Sequence, residues 1–402
     1  MPRFQVQKID FSMSANEGSF LQTPFWGFFK SRHGWKTLRL RAAFDREGGE
    51  KKAFDFTVLV RSFAKGLFSL AYVPLFPSAQ FFSAAAGAFS AGADASGVGQ
   101  NCAAGQNLFA PDPEDFCALL QELAFSIKPL LPKNSICVRF DPQVEFSTPL
   151  ERDSFNKNAA LASKKRRFKC KKTGVDIQPP DTTQVDLTRT EEEILANMKS
   201  KWRYNVNLAK KKGVQIEKVP QNGLNLYDFV DIFYDLYKIT SSRDGIAMHS
   251  KSYYLDLLEL SQEELKNGRD VPQVSLYVAK HEGDNLGAIM TLFSKTESVY
   301  LYGCSSNIKR NLMPNFLLQW TAMSDAKAYG SLSYDLYGMP PTDNPGHPMH
   351  GLYLFKTGFG GRNVHRAGSY DIPLKAIYEL CVFAEGARAF WHKKILKKIR
   401  GR

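Results

Sequence analysis

GLYLFKTGFGG, from Gly351 to Gly361, and YDLYG, from Tyr334 to Gly338, are the stretches on which the reading of this chain turns. YDLYG has the pattern of a buried strand that ends at a glycine. A proline-rich loop holding His347 and His350 follows, and then the aromatic run GLYLFK, which the residue types predict to be a second strand. One lysine, Lys356, stands among apolar neighbours there. Lysine seldom occupies such a run unless its ammonium is paired or has chemistry to perform. The alternative is a strand-edge lysine whose stem lies on apolar surface while its head reaches water.

Around these stretches lies a chain of 402 residues, long enough for two domains with a core each. Hydrophobic residues make up 44%, with 30 Phe and 16 Tyr, which is a globular composition and excludes a disordered chain. Lys and Arg outnumber Asp and Glu by 53 to 40, a net charge of +13 that favours a polyanionic partner: nucleic acid, a phosphorylated substrate or an anionic membrane face. The 6 cysteines, Cys102, Cys117, Cys137, Cys170, Cys304 and Cys381, form no CxxC pair, the usage of a reducing compartment. MPRFQVQKIDFSM has no apolar core of signal-peptide length and no run approaches membrane-spanning length, so a soluble cytoplasmic protein is expected.

Element signals alternate along the chain. Thr23 and Pro24 suit an N-cap and first helical position, with Phe25, Phe28 and Phe29 as an apolar face. Strands are predicted at Thr37–Phe44, Phe54–Ser62, Gly66–Val73 and Ser135–Phe140, and a helix capped by Asp112 at Pro113–Ile127. Residues 78–107, rich in Ala, Gly and Ser, read as a flexible loop. Residues 161–182 carry Lys164, Lys165, Arg166, Arg167, Lys169, Lys171 and Lys172 and read as a basic crossing between domains. A second unit begins at strand Thr183–Leu187, with a capping box of Thr188 and Glu191 opening a helix that runs to Gly213. Further helices are predicted near Leu226–Ser241, Ser252–Ser261 and Pro314–Tyr329, and strands at Val214–Val219, Val274–Lys280, Leu286–Lys295, Ser298–Ser305 and Leu332–Tyr337. The order is similar in both halves, so two α/β units of one type are expected, without a direct sequence repeat.

The segments FLQTPFWGFFKSRHGWK, VRFDP, KSKWRYNVNLAKKKGV, RDGI with Tyr253-Tyr254 after it, VYLYGCSS and YDLYG…GLYLFKTGFGG, in this order, resemble the FemABX family. That family comprises aminoacyl-tRNA-dependent transferases that build the interpeptide bridge of peptidoglycan. The resemblance implies an α/β (α+β) fold of two domains of the GCN5-related N-acyltransferase type, each a mixed twisted sheet flanked by helices. It places residues 1–160 with 369–402 in the first and 183–368 in the second. The stretch between Gly213 and Arg243 is too short for the long helical arm of some members, which points to compact FemX-like ones. It also implies transfer of an amino acid from aminoacyl-tRNA to a stem-peptide amine of a precursor, either UDP-MurNAc-pentapeptide or its lipid-linked form. No metal and no cofactor are expected, because the ester is already activated.

Residue by residue, the resemblance assigns Lys356, after Phe355, to positive charge beside the developing oxyanion or a tRNA phosphate. Asp141 of VRFDP matches a carboxylate near the peptide amine; its other reading is an aspartate bonding the turn beside Pro142. Lys30, Tyr253, Tyr300 and Tyr302 match positions near substrate, and at least one of the two strand tyrosines is expected to point into the core. Where compact members carry a diphosphate-binding arginine this chain has His249: either the phosphate holds His249 protonated, or Arg243 or Lys251 substitutes, or the substrate sits differently. Lys199, Lys201, Arg203, Lys210, Lys211 and Lys212 would meet the tRNA acceptor arm, or simply form a solvated face. The tail AFWHKKILKKIRGR sets Phe390, Trp391, Ile395 and Ile399 among basic residues, which suits the anionic inner membrane surface or docking on the first domain. His347 and His350 are too few for a metal site. Two other readings stay open: an acyl-CoA-dependent N-acyltransferase, whose pyrophosphate loop signature is not found, and a non-catalytic RNA-binding module.

Overall fold

The computed structural model describes residues 4–10, 18–45, 51–76, 110–220 and 223–390, with the backbone alone at 44, 45, 51, 52 and 385–390. The predicted loop at 78–107 and the tail beyond Phe390 lie outside the described residues. Strands are β1 (Gln5–Lys8), β2 (Lys36–Asp45), β3 (Lys51–Phe63), β4 (Phe68–Phe76), β5 (Ser135–Pro142), β6 (Glu145–Phe146), β7 (Lys171–Lys172), β8 (Asp181–Asp186), β9 (Gln215–Lys218), β10 (Gln273–His281), β11 (Asp284–Phe293), β12 (Glu297–Ser305), β13 (Ser333–Asp335), β14 (Arg362–Arg366) and β15 (Tyr370–Pro373). Helices are α1 (Pro24–Ser31), α2 (Pro113–Ile127), α3 (Pro149–Arg166), α4 (Glu191–Asn197), α5 (Ser200–Lys211), α6 (Leu226–Asp244), α7 (Lys251–Lys266), α8 (Pro314–Tyr329), α9 (His350–Thr357) and α10 (Tyr378–Phe390).

Among the described residues the strands form two mixed sheets, β1-β2-β3-β4-β5-β15-β7 and β6-β14-β8-β13-β12-β11-β10-β9. Each holds one parallel pair, β4 with β5 and β12 with β13, inside otherwise antiparallel ladders. A parallel neighbour needs a crossover; α2 supplies it in the first sheet and α8 in the second. The sheets exchange short strands: β6 pairs with β14 of the second sheet, and β7 pairs with β15 of the first. The basic cluster at 164–167 sits at the C-terminal end of α3, where cations meet the negative end of the helix dipole.

One face of the first sheet is closed by α2 and α3, burying Val58, Val60, Phe116, Leu120, Val138 and Phe155 together. The second sheet is covered on both faces. One side packs α6, α7 and the α1 region (Phe25, Trp26, Phe29, Phe233, Leu257), the other packs α5 and α8 (Val206, Leu318, Met323). Each such buried side chain contributes roughly 1.5–3 kcal/mol. The Thr23 hydroxyl caps α1 by accepting from the Trp26 N–H, and Asp112 caps α2 as its position suggests. Phe28, expected on the buried face of α1, is 37% exposed. The longest helix, α6, lays Val230, Phe233 and Leu236 on the second sheet and forms no projecting arm.

Several local expectations are corrected. GLYLFK is not a strand: residues His350–Thr357 form α9. Leu352, Phe355 and Phe359 recur at helical spacing, and β-propensity yields to context where no strand partner is available. The box residues are Thr190 and Glu193, not Thr188 and Glu191; Thr188 instead donates its N–H and hydroxyl to Asp186. The helix expected to run unbroken to Gly213 is interrupted at Met198–Lys199 between α4 and α5. Finally, the register of β12 shifts between Tyr300 and Tyr302. A bulge reverses which face successive residues present, so Tyr300 packs with the α5/α8 cluster and Tyr302 with the α6/α7 cluster.

Candidate active site

The parallel ladder of β12 with β13 ends at Val299 and Asp335. Beyond it the backbone turns sharply, with Tyr337 in the left-handed region at φ 59°. Asp335 fixes that turn by accepting the Tyr337 N–H at 2.6 Å. The carbonyls of Tyr337 and Gly338 accept from Lys356 Nζ at 3.1 and 2.8 Å. The amine also lies 5.2 Å from the centre of the Tyr300 ring. Lys356 is buried, and among the described residues no carboxylate stands within ion-pair distance of it. Burial pulls its pKa down to about 7, against a smaller opposing pull from Asp335. Two donors go to carbonyls, so an ammonium at this position keeps a third N–H to offer a ligand.

The helix that carries Lys356 is held from below. Trp202 of α5 donates its indole N–H to the Phe355 carbonyl at 2.8 Å, and Lys199 N–H donates to the Gly358 carbonyl at 2.9 Å. Phe355 and Phe359 meet edge to face at 5.2 Å, and both pack on Phe316. A Cβ at Gly358 would lie 2.1 Å from the Trp202 ring, so only glycine admits this approach. The α4–α5 break is what presents the Lys199 amide. Arg203 stabilises the break by donating to the carbonyls of Ala196 and Met198.

Asp141 ends β5 with both carboxylate oxygens engaged, one by the Tyr72 hydroxyl and one by the Ser369 hydroxyl. Burial raises its pKa to about 6, while bonds from Ser369, Tyr72 and the Gln178 backbone pull the other way. Gln178 accepts in turn from the Tyr337 hydroxyl. A connected polar path therefore runs from Asp141, through Gln178, to the residue whose carbonyl holds Lys356.

Lys30 of α1 sits in an aromatic box, with Trp26, Trp35 and Tyr253 ring centres 5.8, 5.6 and 5.4 Å from its Nζ. Burial, aided by the like charge of Arg61, lowers its pKa to about 8. His249 stacks on Tyr253 at 4.0 Å, and Tyr302 meets His249 edge on at 6.2 Å. Burial and the charges of Lys30, His33 and Arg61 lower the His249 pKa. Asp256 pairs with His33 at 2.8 Å, while among the described residues no carboxylate pairs with Lys30, which leaves that amine to suit an anionic ligand. Arg243 is placed otherwise: it is bidentate on Asp244 at 2.8 and 3.0 Å and reaches Asn307 at 3.0 Å. Lys251 pairs with Asp231.

Lys30, Tyr253, His249 and Tyr302 thus form one cluster, and Lys356, Phe355, Tyr300 and the Asp141 path form another. Lys199, Lys201, Lys210, Lys211 and Lys212 are exposed on α5 and at its two ends, while Arg203 is engaged by backbone. His350 bonds Asp343 at 2.5 Å, and among the described residues no group of side chains could hold a metal ion. Sequence reasoning missed Tyr72, Gln178, Ser369, Trp35, Arg61 and Trp202. Only Trp202 carried a signal, as an aromatic on an otherwise basic helix.

Comparison with known proteins bears on the family and the fold. A model described as "FemAB family" matches residues 114–267 and 259–385, more than half of the chain. The lipid II:glycine glycyltransferase of Staphylococcus haemolyticus (strain JCSC1435) is 24% identical over 96% of this chain and 95% of its own length. The protein of the same name from Staphylococcus aureus (strain MSSA476) is 24% identical over 62% of this chain and 71% of its own. The solved structure of FemX superposes with a TM-score of 0.65 at 21% identity, covering 94% of this chain and 99% of that one.

Proposed function

The chain belongs to the FemAB family and has the fold of FemX, and from that premise we propose that it transfers an amino acid from aminoacyl-tRNA to the stem-peptide amine of a diphosphate-linked peptidoglycan precursor. The supporting names are those of the relatives, lipid II:glycine glycyltransferases. The observation that carries the reading is the buried, carboxylate-free Lys356 amine, held by two backbone carbonyls. In the reaction the peptide nitrogen attacks the ester carbonyl and a C–N bond forms. The C–O bond to the ribose breaks, and the proton lost by nitrogen ends on the ribose oxygen. Lys356 meets the oxyanion with its third N–H. Near a pKa of about 7 it is charged most readily when that negative charge appears.

Asp141, enclosed by Tyr72 and Ser369, acts as a positioning residue through Gln178 and Tyr337 rather than as an open base. Lys30, His249 and Arg61 take the diphosphate, with Tyr253 and Tyr302 walling the site. The exposed lysines of α5 face tRNA phosphates. No helix among the described residues is long and apolar enough to cross a membrane, so contact with the anionic inner membrane surface falls to the basic tail, in a protein that works in the cytoplasm. The test is incubation with a mixed pool of charged tRNA and purified muropeptide precursors, followed by mass spectrometry. A precursor heavier by one aminoacyl residue is expected; no adduct on either precursor form would refute the reading.

A further inference from the structure

The face of the first sheet opposite α2 and α3 is polar at one end and apolar at the other. Side chains two apart along a strand share a face, and β3 presents Arg61 and Phe63 there beside Leu70 and Phe68 of β4, with Arg61 opposite Leu70 and Phe63 opposite Phe68. Tyr72, which holds Asp141, is the next residue of the same row. Beyond the polar end lies a groove of about 510 Å³, walled by Phe63, Phe68, Leu70, Ile136, Ile377 and Leu380 and flanked by Arg61 and Arg139. That volume lies within the range of about 300–1,000 Å³ usual for small-molecule sites. Arg61 joins the groove to the anion cluster: its guanidinium lies 5.3 Å from the Trp35 ring, and Lys30 stands over the same ring at 5.6 Å. The outer wall is α10, whose Leu380 and Phe383 are 63% and 75% exposed. That helix leads directly into the basic run HKKILKKIRGR.

We infer that this groove takes the first isoprenoid units of a lipid-linked acceptor whose diphosphate lies on Lys30 and Arg61. The inference rests on the diphosphate reading of the Lys30 cluster and selects the lipid-linked precursor over the nucleotide-linked one. A ligand with a dianionic head and a branched hydrocarbon chain matches the sequence of surfaces: cations and aromatic rings first, then an apolar trough. The exposed apolar residues at the groove mouth, followed by Lys and Arg, suit a chain that stays partly in an anionic bilayer.

The test is calorimetric titration of the full chain with two probes, geranylgeranyl diphosphate and inorganic diphosphate. The prenyl probe should bind at least about tenfold more tightly, equivalent to ~1.4 kcal/mol. Leu380→Glu and Phe63→Glu, at positions exposed enough to accept charge without unfolding, should each remove that advantage and leave inorganic diphosphate binding unchanged. Arg61→Ala should weaken both probes. Equal affinity for the two probes, or prenyl binding indifferent to both glutamates, overturns the inference. So does a loss confined to sedimentation with phosphatidylglycerol vesicles, which would mean that the face only rests on a bilayer. The probes carry neither peptide nor aminoacyl donor, so this result is independent of whether transfer itself occurs.

Discussion

At the scale of single residues, the telling group is an amine whose fold opposes its charge. A displacement from 10.5 to about 7 corresponds to roughly 5 kcal/mol between the two protonation states. The folded pKa of Lys356 is depressed, so its stability contribution is present above pH 10.5 and is lost as pH falls through about 7. Lys356→Met should therefore gain thermal stability relative to the parent as pH is lowered from 10 toward 6, read by melting curves; a constant difference would contradict the burial argument. If the ammonium is the working form, kcat/KM should decline as pH rises through about 7, and Lys356→Arg, which stays charged, should lose that limb. Asp141 is displaced the other way, to about 6, so its carboxylate costs stability as pH rises through that value. As a positioning residue, Asp141→Asn should slow turnover by about tenfold, or ~1.4 kcal/mol, where loss of a group touching the oxyanion costs about a hundredfold or more. Lys356 was legible in the sequence because lysine is out of place in that run. Tyr72, Ser369 and Gln178 were not, because a tyrosine in a strand and a serine after a glycine are unremarkable until the fold brings them to one carboxylate.

Elements position these groups through close approaches and strand ends. Gly358→Ala would drive a methyl into Trp202. Overpacking of this kind costs about 1–3 kcal/mol, and here the strain falls on the helix that carries Lys356. Reduced thermal stability together with a loss of kcat is expected, and unchanged turnover would show that α9 needs no such seat. Helix caps and strand cores were readable where Thr-Pro, Asp-Pro and apolar runs marked them, as at α1, α2 and α8. The segment that matters most reads as a strand because Tyr and Phe favour strands locally. Its recurrence at three and four residues makes it helical once Trp202 and Phe316 cover one side. The β12 bulge is a second such case: alternation predicts one face for Tyr300 and Tyr302, and a single extra residue separates them.

For the whole molecule, two sheets that exchange short strands carry the two clusters, and they meet where Trp35, under Lys30, lies 6.4 Å from the ring of Tyr72, which holds Asp141. Much of the order of strands and helices, as at β2 to β5 and β10 to β12, was visible in the alternating patterns. The exchange was not, since β6 and β7 are pairs of residues too short to leave a periodic signal. Charge supplies a test of the donor: every phosphate that a cation no longer neutralises lowers the salt slope of binding by about 0.7 on a single strand and about 0.9 on a DNA duplex. Lys210→Glu with Lys211→Glu should therefore flatten the dependence of tRNA affinity on salt without altering the melting temperature, while an unchanged slope would leave the α5 lysines as a solvated face. Most direct of all is transfer itself, measured by mass spectrometry of precursors incubated with charged tRNA and either the parent protein or Lys356→Met. The parent should add one aminoacyl residue and the folded variant none; adduct formation by Lys356→Met at the parental rate would contradict the role given to this amine.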